Sequence, residues 1–383
     1  ARLDGVFGRL AAGVQVLSLL ARNPALLERL AGILGAAPQL ADHLSSHPAA
    51  LEGLLVGAGG AIGTAATVLP ALLKDARHIE EAMAAGRRLV LEGKFEIDAA
   101  TLEGTLGVDA AGEARSALAD AAITGLMPHV AAEFAERFGK VKGGALAVVA
   151  LGKLGGREML PGSDLDLILI YDHAAGVEAS EGRAKRGQAA PRSLPVSQYF
   201  TRLAHQLIGA ITAPGAEGKL YEVDMRLRPS GSKGPVAVSL SGFQRYHAEE
   251  AWTWERMALT RARVVAAPPA LQRKVEAAIR AALQRPDAAA KAIPDAVAMR
   301  GRMLRDLPPD GPWDVKLGRG GLVEVEFIAQ ALQLAHARQH PGLLATTTHV
   351  ALARLAEAGL LDAGEAQTLI GAERLWRSIS GLL

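Results

Sequence analysis

The sequence predicts an α+β fold that is mostly α-helical, with a small sheet-bearing centre flanked by N-terminal and C-terminal helical bundles. Three observations predict it. Helical periodicity with repeated start signals fills both ends of the chain, before about residue 138 and after residue 270. Between them, Ala145–Ala150 and Ile168–Tyr171 are short apolar runs with strand character, separated by the glycine-rich stretch Leu151–Leu167. The composition is 50% hydrophobic but only 4% aromatic, and its Ala and Leu favour helices and a core of small side chains. A chain of 383 residues has room for two or three domains. They are expected at 1–110 (helical), 111–268 (carrying the sheet) and 269–383 (helical).

Several function classes are disfavoured at once. A net charge of +2 is too weak to make nucleic acid the main partner. With no cysteine there is no disulfide, no thiolate metal site and no cysteine nucleophile. No apolar run reaches the length of a membrane span, and no signal-peptide pattern opens the chain, so a cytoplasmic protein without membrane contact is expected. The start at Ala1 and the apolar end Gly381-Leu382-Leu383 read as a piece of a longer polypeptide.

In the N-terminal region, Asn23-Pro24, Ala37-Pro38 and His47-Pro48 each look like a helix start. Leu26, Leu27, Leu30 and Leu34 form the apolar stripe of the first. Val56–Gly63 reads as a linker or sharp turn, and further helices are expected over Ala65–Leu91 and Ala111–Phe138. Beyond the centre, Ala174–Pro195 is a long polar segment with Arg183, Lys185, Arg186 and Arg192, either disordered or a contact for a protein substrate. Ser197 is placed as the cap of a helix whose face is Phe200, Leu203, Ala204, Leu207, Ile208 and Ile211.

Leu220–Pro229 alternates apolar Tyr221, Val223, Met225 and Leu227 with charged Glu222, Asp224, Arg226 and Arg228, the pattern of a half-buried strand. Phe243–Val265 reads as helix, with Trp252 and Trp254 expected in the core. Pro268-Pro269 marks the end of the central domain, and the helices after it are expected to break at Pro286, Pro294 and Pro308-Pro309. Lys316–Gly321, before a helix at Leu322–Ala337, either binds an anion or simply precedes Glu324 and Glu326 as first-turn acids.

Chemistry concentrates in the central unit. Asp164 and Asp166 stand at i and i+2 on the second strand, so their carboxylates share one face about 6.6 Å apart. At an effective dielectric near 20 they repel by about 2.5 kcal/mol, which favours protonation, solvation or a bound cation. A glycine turn beside such a pair suits phosphate and a divalent metal. Taken alone, the charged face of Leu220–Pro229 is a solvated surface. Beside the Asp pair, Asp224 becomes a third carboxylate, with Arg226 and Arg228 as phosphate contacts.

Leu151–Leu167 resembles the signature of the DNA polymerase β-like nucleotidyltransferase superfamily, a Gly-Ser turn before an Asp-x-Asp strand. Here Gly152-Lys153 takes the Gly-Ser place and Ser163-Asp164-Leu165-Asp166 follows. The strings Gly152–Met159, Leu220–Gly231, Ala251–Arg263 and Gly320–Phe327 narrow the resemblance to the glutamine synthetase adenylyltransferases. That family joins an AMP-removing half to an AMP-attaching half. The Ser-Asp-Leu-Asp and Ala-Trp-Thr-Trp-Glu wordings resemble the attaching, C-terminal half.

The resemblance implies a polymerase β-like nucleotidyltransferase domain with a small mixed sheet at 111–268. It implies AMP transfer from ATP to a tyrosine of glutamine synthetase, with release of pyrophosphate. Mg²⁺, or alternatively Mn²⁺, would sit on Asp164, Asp166 and Asp224, with Asp224 also assisting deprotonation of the tyrosine. Gly152, Lys153, Ser163, Arg226 and Arg228 would contact the nucleotide; lysine in place of serine leaves the role of Lys153 open. Glutamine as effector and the PII signal protein are the implied regulators. The AMP-removing half, another nucleotidyltransferase and a non-catalytic nucleotide-binding module are the alternatives.

Overall fold

A computed structural model describes residues 18, 20–36, 64–182, 191–215, 218–311 and 313–381. Helix α1 (Pro24–Ala36) starts at the expected Asn23-Pro24, with proline where its missing N–H costs nothing. Of its stripe, Leu30 is buried and Leu27 is exposed. The starts expected at Ala37-Pro38 and His47-Pro48 lie outside the described residues, as do Val56–Gly63 and the basic residues Arg183, Lys185 and Arg186.

The helix expected over Ala65–Leu91 is two helices, α2 (Thr64–Asp75) and α3 (Ile79–Leu102). They separate because His78 is extended and its Nδ1 accepts the Glu81 N–H, which caps a new helix start. α4 (Val108–Phe138) packs on both through Leu69, Leu73, Val90, Leu118 and Leu126.

The sheet is small and mixed, as expected. β1 (Ala145–Ala150) lies between β2 (Leu165–Asp172) and β5 (Arg263–Ala266), antiparallel to both. On the far side of β2, β3 (Val223–Asp224) runs parallel to Leu165–Asp166 and β4 (Ala237–Ser239) parallel to Leu169–Tyr171. β1 is apolar throughout, and β2 is apolar between Asp166 and Asp172, because helices cover both faces. Leu146, Val148 and Ala150 join the core of α2 to α4, whereas Ala147 and Val149 join the core built with the C-terminal helices.

α5 (Gly152–Gly155) is the short helical link expected between β1 and β2. α6 (Val196–Thr212) buries Phe200, Leu203, Ala204, Leu207 and Ile211 as read, but its cap position is Pro195; Ser197 lies inside the first turn. The described residues of Ala174–Pro195 are tied to their surroundings: Ala179 bridges Pro195, and buried Ser180 donates its hydroxyl to the Phe138 carbonyl at 2.6 Å.

Three expectations fail here. The strand over Leu220–Pro229 shrinks to Val223–Asp224, because the Asp224 carboxylate takes the Arg226 N–H and turns the chain. The helix over Phe243–Val265 becomes α7 (Leu240–Glu249), α8 (Thr253–Leu259) and β5, since Val264 and its neighbours pair with β1. Trp252 is 69% and Trp254 37% exposed, so neither is core. The Trp252 N–H donates to Glu255 at the start of α8, and the buried face of that helix holds Glu255, Arg256 and Met257 instead.

Among the described residues five α-helices follow: α9 (Pro269–Leu283), α10 (Pro286–Asp306), α11 (Leu322–His336), α12 (Thr348–Glu357) and α13 (Ala363–Ser380). Pro269 and Pro286 open helices, but Pro294 lies within α10 rather than ending it. The core packing of Ala288, Ala292 and Ala296 offsets the backbone bond that proline removes.

Candidate active site

The β1–α5–β2 unit, the β3 turn, α8 and the C-terminal helices enclose a cleft of about 500 Å³. It gathers seven of the expected residues: Gly152, Lys153, Ser163, Asp164, Asp166, Asp224 and Arg226. The parallel pairing that sets Asp166 opposite Asp224 brings the third carboxylate to the first two. Ser163 accepts the Leu160 N–H on its hydroxyl at 2.9 Å, closing the turn that delivers Asp164 to the strand.

Gly152 is required by close approach as well as by conformation. Its φ is +51°, and a Cβ there would lie 2.0 Å from Asp166 Oδ2. Cβ atoms on Gly155 and Gly156 would collide with Arg261, on its carbonyl at 2.1 Å and its guanidinium at 2.2 Å. The glycines of this turn therefore make room for an aspartate and an arginine. Gly152→Ala is expected to push Asp166 aside and to lower any reaction that depends on that carboxylate by about a hundredfold with the fold retained, as single-turnover assays and circular dichroism would read.

Charge in the cleft is balanced but unevenly placed. Burial pushes the Asp166 carboxyl up to about 6, and the Asp164 and Asp224 charges add to it against Arg261 and Arg226. Asp224 is shifted the other way, held below the usual carboxylate range chiefly by its hydrogen bond from Arg226. The Arg226 N–H reaches Asp224 Oδ1 at 2.7 Å and its Nε reaches Oδ2 at 2.6 Å, while the Arg226 side chain is 82% exposed. Arg228 does not line the cleft. Its guanidinium donates to the carbonyls of Met225 (2.6 Å), Ser232 (3.2 Å) and Gly234 (3.2 Å), and so holds the loop after β3. Glu222 pairs with Lys219.

Residues without an assigned role in the sequence complete the site. Arg261, 4% exposed, lines the cleft and pairs with buried Glu158 and with Glu326. Glu326 also faces Lys153 at 3.4 Å. Burial drives the Glu326 carboxyl up, but the Lys153 and Arg261 charges outweigh it and hold it down at about 2. The two acids of the Gly320–Phe327 string thus part company. Glu324 accepts the Gly320 N–H at 2.8 Å and pairs with Arg300, whereas Glu326 turns into the cleft. Lys316 lines the cleft as well. Arg261 and Glu326 lie in strings that carried the family resemblance, but spacing alone gave no hint that they meet.

The three aspartates fit a hard divalent cation, since they offer only oxygen donors and Asp166 is short of positive charge. Among the described residues, the ligand atoms that lie within 4.8 Å of one another belong to another group, Asp109, His349 and Glu373. That group is already neutralised. Arg377 pairs with both Asp109 and Glu373, and Arg374 reaches Asp109 at 2.7 Å. At the cleft, Arg226 takes the Asp224 oxygens that a cation would use.

Comparison with known proteins identifies the family. The profile of the glutamate–ammonia ligase adenylyltransferase family matches residues 27–278, and that of the PII-uridylyltransferase family matches residues 302–383. The bifunctional glutamine synthetase adenylyltransferase/adenylyl-removing enzyme of Mesorhizobium japonicum is 42% identical over 99% of this chain and 38% of its own length. That of Caulobacter vibrioides is 44% identical over 100% of this chain and 37% of its own length. The chain therefore spans little more than a third of these relatives. No helix among the described residues is long and apolar enough to cross a membrane. With two-thirds of its length under that profile and an aspartate-lined cleft at its centre, the chain belongs to the glutamate–ammonia ligase adenylyltransferase family.

Proposed function

We propose that this chain attaches AMP: it moves AMP from ATP to a tyrosine hydroxyl of glutamine synthetase and releases pyrophosphate. The observation that carries the reading is the convergence of Asp164, Asp166 and Asp224 with Gly152, Lys153, Ser163 and Arg226 on one cleft. Asp164, Asp166 and Asp224 would hold Mg²⁺ or Mn²⁺, which when bound would draw charge from the phosphates and relieve the repulsion among the carboxylates.

The chain's own groups do the rest. The turn at Gly152 admits the triphosphate beside Asp166, with the Ser163 hydroxyl hydrogen free to donate. Arg226, exposed at its tip, exchanges Asp224 for phosphate oxygens, as a bidentate guanidinium favours. The same movement frees Asp224. A phenol near pKa 10 needs such an acceptor at neutral pH. The tyrosine oxygen then bonds to the α-phosphorus, the bond from that phosphorus to the β-bridging oxygen breaks, and the phenol proton passes to Asp224. Arg228 acts indirectly, by shaping the loop that carries Arg226.

Glutamine as effector and the PII signal protein belong to the same proposal. The match of residues 302–383 to the PII-uridylyltransferase profile supports the second. A cytoplasmic site of action follows from the nature of the protein substrate.

Mass spectrometry tests the reading. Unmodified glutamine synthetase incubated with this chain and MgATP is expected to gain one AMP on a tyrosine. ADP formed from AMP-modified glutamine synthetase and phosphate, with no AMP gained in the first reaction, would identify the removing half instead.

A further inference from the structure

Lys153 stands where the superfamily turn carries serine, and its contacts reach across the molecule. Its ammonium lies 3.4 Å from Glu326 Oε1, on α11 and 173 residues away in sequence. The same oxygen accepts from Arg261 Nη1 at 3.0 Å. Arg261 also pairs through Nη2 with Glu158, and Glu158 in turn accepts from the Thr348 N–H (2.6 Å) and hydroxyl (3.0 Å) where α12 begins. Glu326 therefore rests on a buried lattice that joins the turn to two C-terminal helices.

Its two cationic partners are held unequally. The Arg261 side chain is 5% exposed and fixed between two carboxylates. The Lys153 side chain is 23% exposed, lines the cleft and makes the longer contact. A planar guanidinium in a buried fork stays in place, whereas an ammonium on a flexible stem can turn to a new anion. An entering phosphate competes for the lysine alone.

We propose that Glu326 is a positioning residue that competes with a nucleoside triphosphate for Lys153, so that the C-terminal helices set the nucleotide affinity of the cleft. This rests on the nucleotide reading of the cleft but not on the protein substrate. Turning Lys153 to phosphate costs its contact with Glu326, and the affinity seen is reduced by that cost.

Calorimetric titration with MgATP, without glutamine synthetase present, tests the proposal. Glu326→Gln is expected to tighten ATP binding by about fivefold to tenfold, the gain from removing a weakly held competitor. Glu326→Asp keeps the charge but shortens the side chain by one methylene, and the longer Lys153 contact gives way before the Arg261 one, so it is expected to tighten binding as well. It serves if the glutamine variant fails to fold. Lys153→Met is expected to weaken binding and to abolish the effect of either Glu326 change.

Binding that is unchanged or weaker in the folded Glu326 variants would overturn the proposal, as would tightening that survives in the Lys153→Met background. Failure of the unsubstituted chain to bind ATP would overturn it together with the nucleotide reading. The expected binding pattern without AMP transfer would leave it standing while the proposed protein substrate falls.

Discussion

Asp166→Asn is expected to lower AMP transfer by about a thousandfold or more, because it removes an anionic ligand for charge that must be neutralised in the transition state. The same change is expected to stabilise the apo-protein at neutral pH. Burial and the charges of Asp164 and Asp224 raise the folded-state carboxyl from 3.8 to about 6. The folded chain therefore binds this proton more tightly than the unfolded chain does. Stability contributed at this position is greatest below about pH 4, falls as the pH rises towards 6, and remains low above that. An asparagine carries no such penalty.

A gain of about 1–3 kcal/mol is expected for Asp166→Asn at pH 7.5 in chelator, and none near pH 4. Thermal unfolding at the two pH values reads it directly. Loss of activity with a raised melting temperature is the signature of a carboxylate kept for chemistry at the expense of stability. Near-wild-type transfer by either Asp166→Asn or Asp164→Asn would remove the metal assignment.

The second large effect is structural. Arg261→Met is expected to cost about 3–5 kcal/mol of stability, because it leaves Glu158 charged and buried without its cation. Among the described residues, Glu158, 1% exposed, would keep the two hydrogen bonds from Thr348 and the charge of Arg377, with which it shares no direct ion pair. Glu158→Gln in the Arg261→Met background is expected to recover part of the loss, since an amide tolerates burial far better than an unpaired carboxylate. Urea unfolding of the two variants and of the wild type gives the comparison. Equal stability of the single and double variants would show that the pair is not the source of the cost. Nucleotide binding should fall with Arg261→Met as well, because Glu326, no longer shared with Arg261, would hold Lys153 more tightly against an entering phosphate.

Much of the site is legible in the sequence because its parts are local. The i, i+2 spacing of Asp164 and Asp166 fixes a common face on any strand. Glycines clustered between two apolar strands announce a tight turn, and the charged residues around Asp224 announce a second arm of the site. Patterning also finds the two central strands and the apolar face of α6. Where it fails, a competing local interaction wins. The Arg226 N–H bends the chain onto Asp224, so the expected long strand stops there.

Trp252 and Trp254 mislead for a related reason: size and apolarity argue for burial, whereas the inner face of α8 is claimed by Arg256, anchored to Asp287 and the His247 carbonyl. Buried arginines cannot be read from hydropathy, because what makes their burial tolerable is a partner elsewhere in the chain.

The sequence by itself determined the helical ends, the β–turn–β centre and the aspartate pair. Each follows from backbone geometry over a few residues. Only the tertiary structure decided that Arg228 ties down a loop while Arg226 faces the cleft, and that Lys153 meets Glu326. It also decided that the C-terminal helices wall the cleft. Those outcomes depend on which distant charges are brought together inside a low-dielectric interior, and that is settled by packing rather than by spacing.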